Sequence, residues 1–265
     1  MFRDITIGQY YKSESVIHKL DARTKLFGTF VYLIMLFLCD NIVMYGLSAL
    51  ILAWVIRLSR VPLSYMVRGL RGIFVILFIM AFLNIFTTSG KELISIGYLT
   101  ITYDGVIKAV YISIRFVLLI LGSSLLTLTT TPNNITDGLE RSLGFLNGIK
   151  VPVHEIAMMM SIALRFIPIL MDETDKIMKA QTARGADFES GNIIKRTKST
   201  IPILIPLLVS SLRRANDLAV AMDARCYHGG GGKTKMFSFK YGTYDILGYL
   251  YILMYIFAII ILRFF

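Results

Sequence analysis

Two short stretches of the chain hold arginine in the same local setting. Residues 180–187 read AQTARGAD and residues 221–228 read AMDARCYH. Each is Ala-x-x-Ala-Arg followed by a small residue, and Arg184 and Arg225 stand 41 positions apart. Arginine presents a planar fork of donors that grips a carboxylate through two parallel hydrogen bonds. Ala183 and Gly185 flank the first guanidinium, and Ala224 and Cys226 flank the second. Small neighbours leave each guanidinium clear of bulk, so each tip can enter a groove on another protein. Such a tip also serves its own helix, because a helix C-terminus leaves carbonyls unpartnered and a partial negative charge that a cation offsets. Gly185 then suits the helix end. Two tips imply two similar receiving grooves, as on a dimeric or pseudo-dimeric cytoplasmic partner.

Other residue sets imitate chemistry and fall short of it. GGGGKT (229–234) matches the end of a Walker A loop, but the pattern needs glycine at 227 and the chain has Tyr227. It reads as a flexible linker to the last apolar block. Asp172, Asp175 and Ala183-Arg184 look like the metal-holding set of a membrane-embedded phosphotransferase. Lys176 stands where glycine should follow and no ladder of aspartates lies downstream, which leaves that enzyme class as the weaker alternative. His18, His154 and His228 belong to no Ser/His/Asp set, and Cys39 and Cys226 have no zinc spacing. No catalytic residue, metal or cofactor is expected. A secondary transporter would need paired half-helices and polar midplane residues; Asn84, Ser123 and Ser124 are thin support for one.

The elements that must position the tips are embedded in a greasy chain. Of 265 residues 55% are hydrophobic and 17% charged, and the mean hydropathy is +0.67. Soluble domains average about 45–50% apolar and about 25% charged. The composition excludes an ordinary soluble domain and predicts an all-α integral membrane protein. The net charge of +11 then reads as cytoplasmic loops and lipid-headgroup contacts, not nucleic-acid binding. The polar N-terminus lacks the apolar core of a cleaved signal peptide. About five spans are expected, at 26–39, 42–56, 72–88, 106–130 and 245–262. The first two are shorter than the ~20 residues that cross a bilayer comfortably. They read as a tight hairpin broken at Asp40-Asn41, with Arg23, Lys25 and Arg57 snorkelling. Arg115 falls inside the fourth block. An intramembrane charge is a functional candidate by default; the preferred reading is that the span starts later and Arg115 reaches outward with Lys108.

Four arginines and no acid in 57–71 place that segment inside, and the sparsely charged 89–105 outside. Alternation puts the N-terminus and residues 131–242 in the cytoplasm of a plasma-membrane protein. The chain divides accordingly into a four-span N-terminal region (1–130), a cytoplasmic coupling module (131–242) and a C-terminal span (243–265). Within 89–105, ISIGYLTITYDG alternates like a short hairpin. The module offers two long amphipathic helices, 153–185 and 201–226, each with an Ile-Pro step and an Ala-Arg tip. Residues 153–171 offer a sixth span as an alternative; His154, Glu155, Arg165 and Pro168 argue against it. Met158, Met159 and Met160 suit either a docking surface for interchangeable partners or plain packing.

Here the motifs converge. HKLDARTKL (18–26), TLTTTPNNITDGLERSL (127–143), residues 152–188 and AMDARCYH resemble the transmembrane (T) subunit of energy-coupling factor (ECF) transporters, relatives of ABC transporters. The resemblance covers nearly the whole chain. It departs at Cys226, where that family usually has glycine and where a side chain resists a left-handed turn. The resemblance implies a scaffold that couples two cytoplasmic ABC-type ATPase subunits to a separate small membrane substrate-binding (S) subunit that captures a vitamin. It implies that Ala183, Arg184 and Gly185 meet one ATPase and Ala224, Arg225 and Cys226 the other. A cobalt or nickel importer of the same family is the nearest alternative.

Overall fold

The structure is a computed structural model that describes residues 10–88, 92–96, 99–186, 188, 193–229 and 241–264. The Gly-Lys-Thr end of GGGGKT and Asp187 lie outside them. The described chain is helical apart from one hairpin. Its elements are α1 (Val16–Lys19), α2 (Ala22–Phe37), α3 (Ile42–Ser59), α4 (Leu63–Arg71), α5 (Phe74–Thr87), β1 (Glu92–Ile96), β2 (Leu99–Thr102), α6 (Tyr103–Thr129), α7 (Pro132–Ser142), a 3₁₀ segment (Gly144–Ile149), α8 (Val153–Ala183), α9 (Ile193–Ala224) and α10 (Thr243–Phe264). β1 and β2 pair antiparallel. The five expected blocks fall on α2, α3, α5, α6 and α10. By length and composition α3, α6, α8 and α10 can each cross a membrane, and α5 is apolar but shorter. α8, set aside above for its charges, therefore has the length and apolar content of a span.

The helices form two compact units, one built from Gly8–Arg141 with Ser238–Phe265 and the other from Ser142–Phe237. The first has α6 as its hub, packed by α2, α3, α4 and α5, with α10 against α2. Its core holds Leu36, Met44, Tyr45, Leu52, Met66, Leu118 and Ile259. α2 and α6 meet where Gly122 has no side chain; a Cβ there would stand 2.7 Å from the Tyr32 ring. Within the core the Ser48 hydroxyl of α3 and the Tyr255 hydroxyl of α10 lie 3.0 Å apart.

HKLDARTKL builds a polar knot at the start of α2. Asp21 caps the helix by accepting from the Arg23 N–H at 2.9 Å. The backbone N–H of Asp21 and the hydroxyl of Thr24 donate to buried Asp245 of α10 at 2.8 and 3.0 Å. Lys25 Nζ donates to the Thr129 carbonyl at 3.1 Å and the His18 carbonyl at 3.3 Å. Thr129 ends α6, so Lys25 caps a helix other than its own, at the end where a cation is favoured. His18 donates from Nε2 to the Tyr11 carbonyl at 3.0 Å and accepts at Nδ1 from the Ser15 hydroxyl at 2.7 Å. Both bonds suit the neutral ring. Nine residues of motif thereby pin α1, α2, α6 and α10 together.

Arg115 behaves differently from the preferred expectation. α6 begins at Tyr103, so Arg115 lies well inside the helix, and its guanidinium turns to the α2–α3 hairpin. Nε donates to the Tyr45 hydroxyl at 2.9 Å and Nη2 to the Cys39 carbonyl at 3.0 Å. The Tyr45 hydroxyl donates in turn to Cys39 O at 2.9 Å. A tight turn between two apolar helices leaves carbonyls that lipid cannot satisfy. Arg115 supplies the donors.

Candidate docking site

The tips belong to the second unit. α8 runs to Ala183 and α9 to Ala224, so each tip arginine is the first residue past a long helix. Beyond them the backbone makes the same closure twice. At the first tip the Gly185 N–H donates to the Thr182 carbonyl at 2.9 Å and the Ala186 N–H to the Gln181 carbonyl at 3.0 Å. At the second the Cys226 N–H donates to the Asp223 carbonyl at 2.9 Å and the Tyr227 N–H to the Met222 carbonyl at 3.0 Å. This pair of bonds is the Schellman closure, which needs a left-handed residue just past the helix. Gly185 has φ +90° and Cys226 has φ +54°. Glycine takes that region freely; a residue with a Cβ takes it at a cost of about 1–2 kcal/mol. Cys226 adopts it, and the second tip has the geometry of the first despite the departure noted in its sequence. His228 Nδ1 lies 2.9 Å from the Cys226 carbonyl, a further donor at that turn.

Arg184 and Arg225 are both exposed, as are Ala183, Ala224, Gly185 and Cys226. Each guanidinium stands past a helix C-terminus that its own chain has already closed with backbone bonds. Backbone bonds thus close both helix ends without the arginine side chains. On the other half of α8, Met159 is 56% and Met160 44% exposed, with Met158 half-buried. Val153 and Ala157 of the same helix are buried.

α8 and α9 pack on each other. Glu173 of α8 takes the Ser210 hydroxyl on Oε1 and Arg214 Nη2 on Oε2, the latter at 2.9 Å. Beside this clamp is an open groove of about 350 Å³ lined by Phe166 and Leu170 of α8 and by Ser211, Ala215 and Leu218 of α9. Prolines interrupt both helices, Pro168 in α8 and Pro202 and Pro206 in α9. Proline lacks the N–H of the helical ladder and softens or bends the helix there.

Comparison with known proteins decides what kind of molecule carries these tips. The family model described as CbiQ, cobalt transport protein, matches residues 13–236. The energy-coupling factor transporter transmembrane protein EcfT of Ruminiclostridium cellulolyticum is 51% identical over 93% of this chain and 92% of its own length. Its counterpart in Thermosediminibacter oceani is 48% identical over 94% of each chain. That of Bacillus subtilis is 48% identical over 89% of each. The chain belongs to this family, as the transmembrane subunit of an ECF transporter. It is a multi-pass membrane protein with a transport role. Membership gives the apolar helices their setting.

Residue reasoning found the two tips and the knot motif. It missed the Glu173–Arg214 clamp within this family member's second unit. The signal was present: Glu173 and Arg214 are separated by the same 41 positions as the tip arginines, and their charges are opposite.

Proposed function

We propose that the chain is the coupling scaffold of its transporter, with the Arg184 and Arg225 tips each seated in a groove of one ABC-type ATPase subunit. The observation that carries this reading is the duplicated tip: two exposed arginines, each past the same closed helix end. Each guanidinium grips an acidic ATPase residue, so ATP-driven closure of the motor pulls on α8 and α9. The module at 131–242 faces the cytoplasm and the N-terminal and C-terminal regions (1–130, 243–265) hold the membrane. The exposed Met159 and Met160, with Met158, form the surface that receives the small substrate-binding membrane subunit, since methionine repacks against more than one partner. The cargo is a vitamin captured by that subunit. The protein itself performs no chemistry and works in the plasma membrane.

The test is co-purification in mild detergent with co-expressed ATPases and substrate-binding subunit. Arg184→Ala and Arg225→Ala should each reduce ATPase content, and Met159→Asp should reduce binding of the substrate subunit alone. Retention of both ATPases by both arginine variants, with uptake intact, overturns the reading. The description of the matching family as cobalt transport favours a second reading, in which the cargo is cobalt or nickel. Uptake of radiolabelled Co²⁺ against labelled vitamins by the reconstituted complex separates the two.

A further inference from the structure

We propose that Glu173 and Arg214 are the pivot of an equal-armed lever, positioning residues that set the spread of the two arginine tips. The proposal rests on the docking role given above and adds the part that makes two tips move as one.

The register carries it. Glu173 precedes Arg184 by eleven residues, and Arg214 precedes Arg225 by eleven. Eleven residues are about three helical turns and about 16 Å. The two arms beyond the ion pair are therefore equal in length, and each pivot residue stands on nearly the same helical azimuth as the arginine it serves. The tie joins equivalent points of an internal repeat, Glu173 Oε2 to Arg214 Nη2 at 2.9 Å, with the Ser210 hydroxyl on the second carboxylate oxygen.

Packing alone does not fix the crossing. The groove beside the clamp is open and lined by Phe166, Leu170, Ala215 and Leu218, so apolar contact leaves the helices room to rotate. Pro168 lies just before Glu173 and Pro206 just before Ser210. Each arm leaves a softened segment immediately ahead of the clamp. Bending is thereby admitted on one side of the pivot, and the arms beyond it are held together by a directional bond. The Glu173 side chain is 22% exposed and that of Arg214 41%. Exposed pairs contribute little to stability, so removing this one alters geometry and leaves the fold.

The experiment uses the whole transporter with spin labels at Lys179→Cys and Val220→Cys, one on each arm, in a Cys39→Ser, Cys226→Ser background. Pulsed electron paramagnetic resonance reads the distance between arms, and uptake per ATP hydrolysed is measured beside ATPase content. Glu173→Gln is expected to broaden the distance distribution and lower uptake per ATP while both ATPases stay bound. Glu173→Arg should do the same more strongly, and Glu173→Arg combined with Arg214→Glu should restore the narrow distribution. An unchanged distribution in Glu173→Gln and Glu173→Arg, or no recovery in the swap, overturns the pivot. If instead Arg184→Ala and Arg225→Ala keep both ATPases, the docking reading itself has failed. Loss of docking in those variants together with unaltered distances in Glu173→Arg leaves docking standing and removes the pivot.

Discussion

Arg184 and Arg225 are exposed, and the backbone closes each helix end without their side chains. On the proposed docking role, the two guanidinium forks are the groups that grip the ATPases. Truncating one member of a buried charge pair costs about 2–5 kcal/mol, so each alanine variant should weaken ATPase association at least about tenfold. Titration of detergent-purified protein with its ATPases measures this. Cys226 is the strained copy of Gly185. Cys226→Gly should relieve about 1 kcal/mol at the second tip, read as slower hydrogen exchange at the Tyr227 amide; Gly185→Ala should do the reverse at Ala186. His18 adds a pH signature. Burial lowers its basicity, the Tyr11 carbonyl raises it, and nearby Lys25 lowers it, for a net decrease below the ordinary value of 6.5. The unfolded chain therefore binds a proton before the folded one does. The contribution of the neutral ring is fully present above about 6.5 and is lost as pH falls through the folded value. Thermal unfolding in detergent between pH 8 and pH 5 should show this decline, and His18→Gln should flatten it.

At the scale of elements, the apolar blocks were legible because a bilayer demands long uninterrupted runs. Their ends were not. Composition starts the first block at Leu26, yet α2 starts at Ala22, because Arg23 and Lys25 are absorbed by partners distant in sequence, Tyr241 and Thr129. Neither partner leaves a local trace of that pairing. The arginines of 57–71 suggest a loop where α4 forms, although Leu63, Met66 and Val67 have helical spacing and Met66 is fully buried. Arg115 shows the same limit: its type and place raised a question that only the hairpin beside it answers. Arg115→Leu strips donors from Cys39 O and the Tyr45 hydroxyl and should cost about 1–3 kcal/mol. Arg115→Lys should recover little, since one ammonium cannot reproduce a fork. Thermal unfolding of both variants decides.

At the scale of the molecule, sequence pattern separated the greasy helices from the charged amphipathic pair, and motif resemblance supplied the family. The repeat behind the two tips is legible in the sequence, but the clamp joining α8 to α9 is not, because only the packed helices show that Glu173 and Arg214 touch. On the proposed function, the twin arginine tips carry force between a motor and a membrane partner. Cys226 provides a native handle on this claim, being exposed where Cys39 is buried. The most direct measurement is thiol cross-linking in the intact complex, from Cys226 at the second tip and from Thr182→Cys beside the first. The expected result is one ATPase subunit joined at each site. An intact, transporting complex in which neither site reaches an ATPase would contradict it.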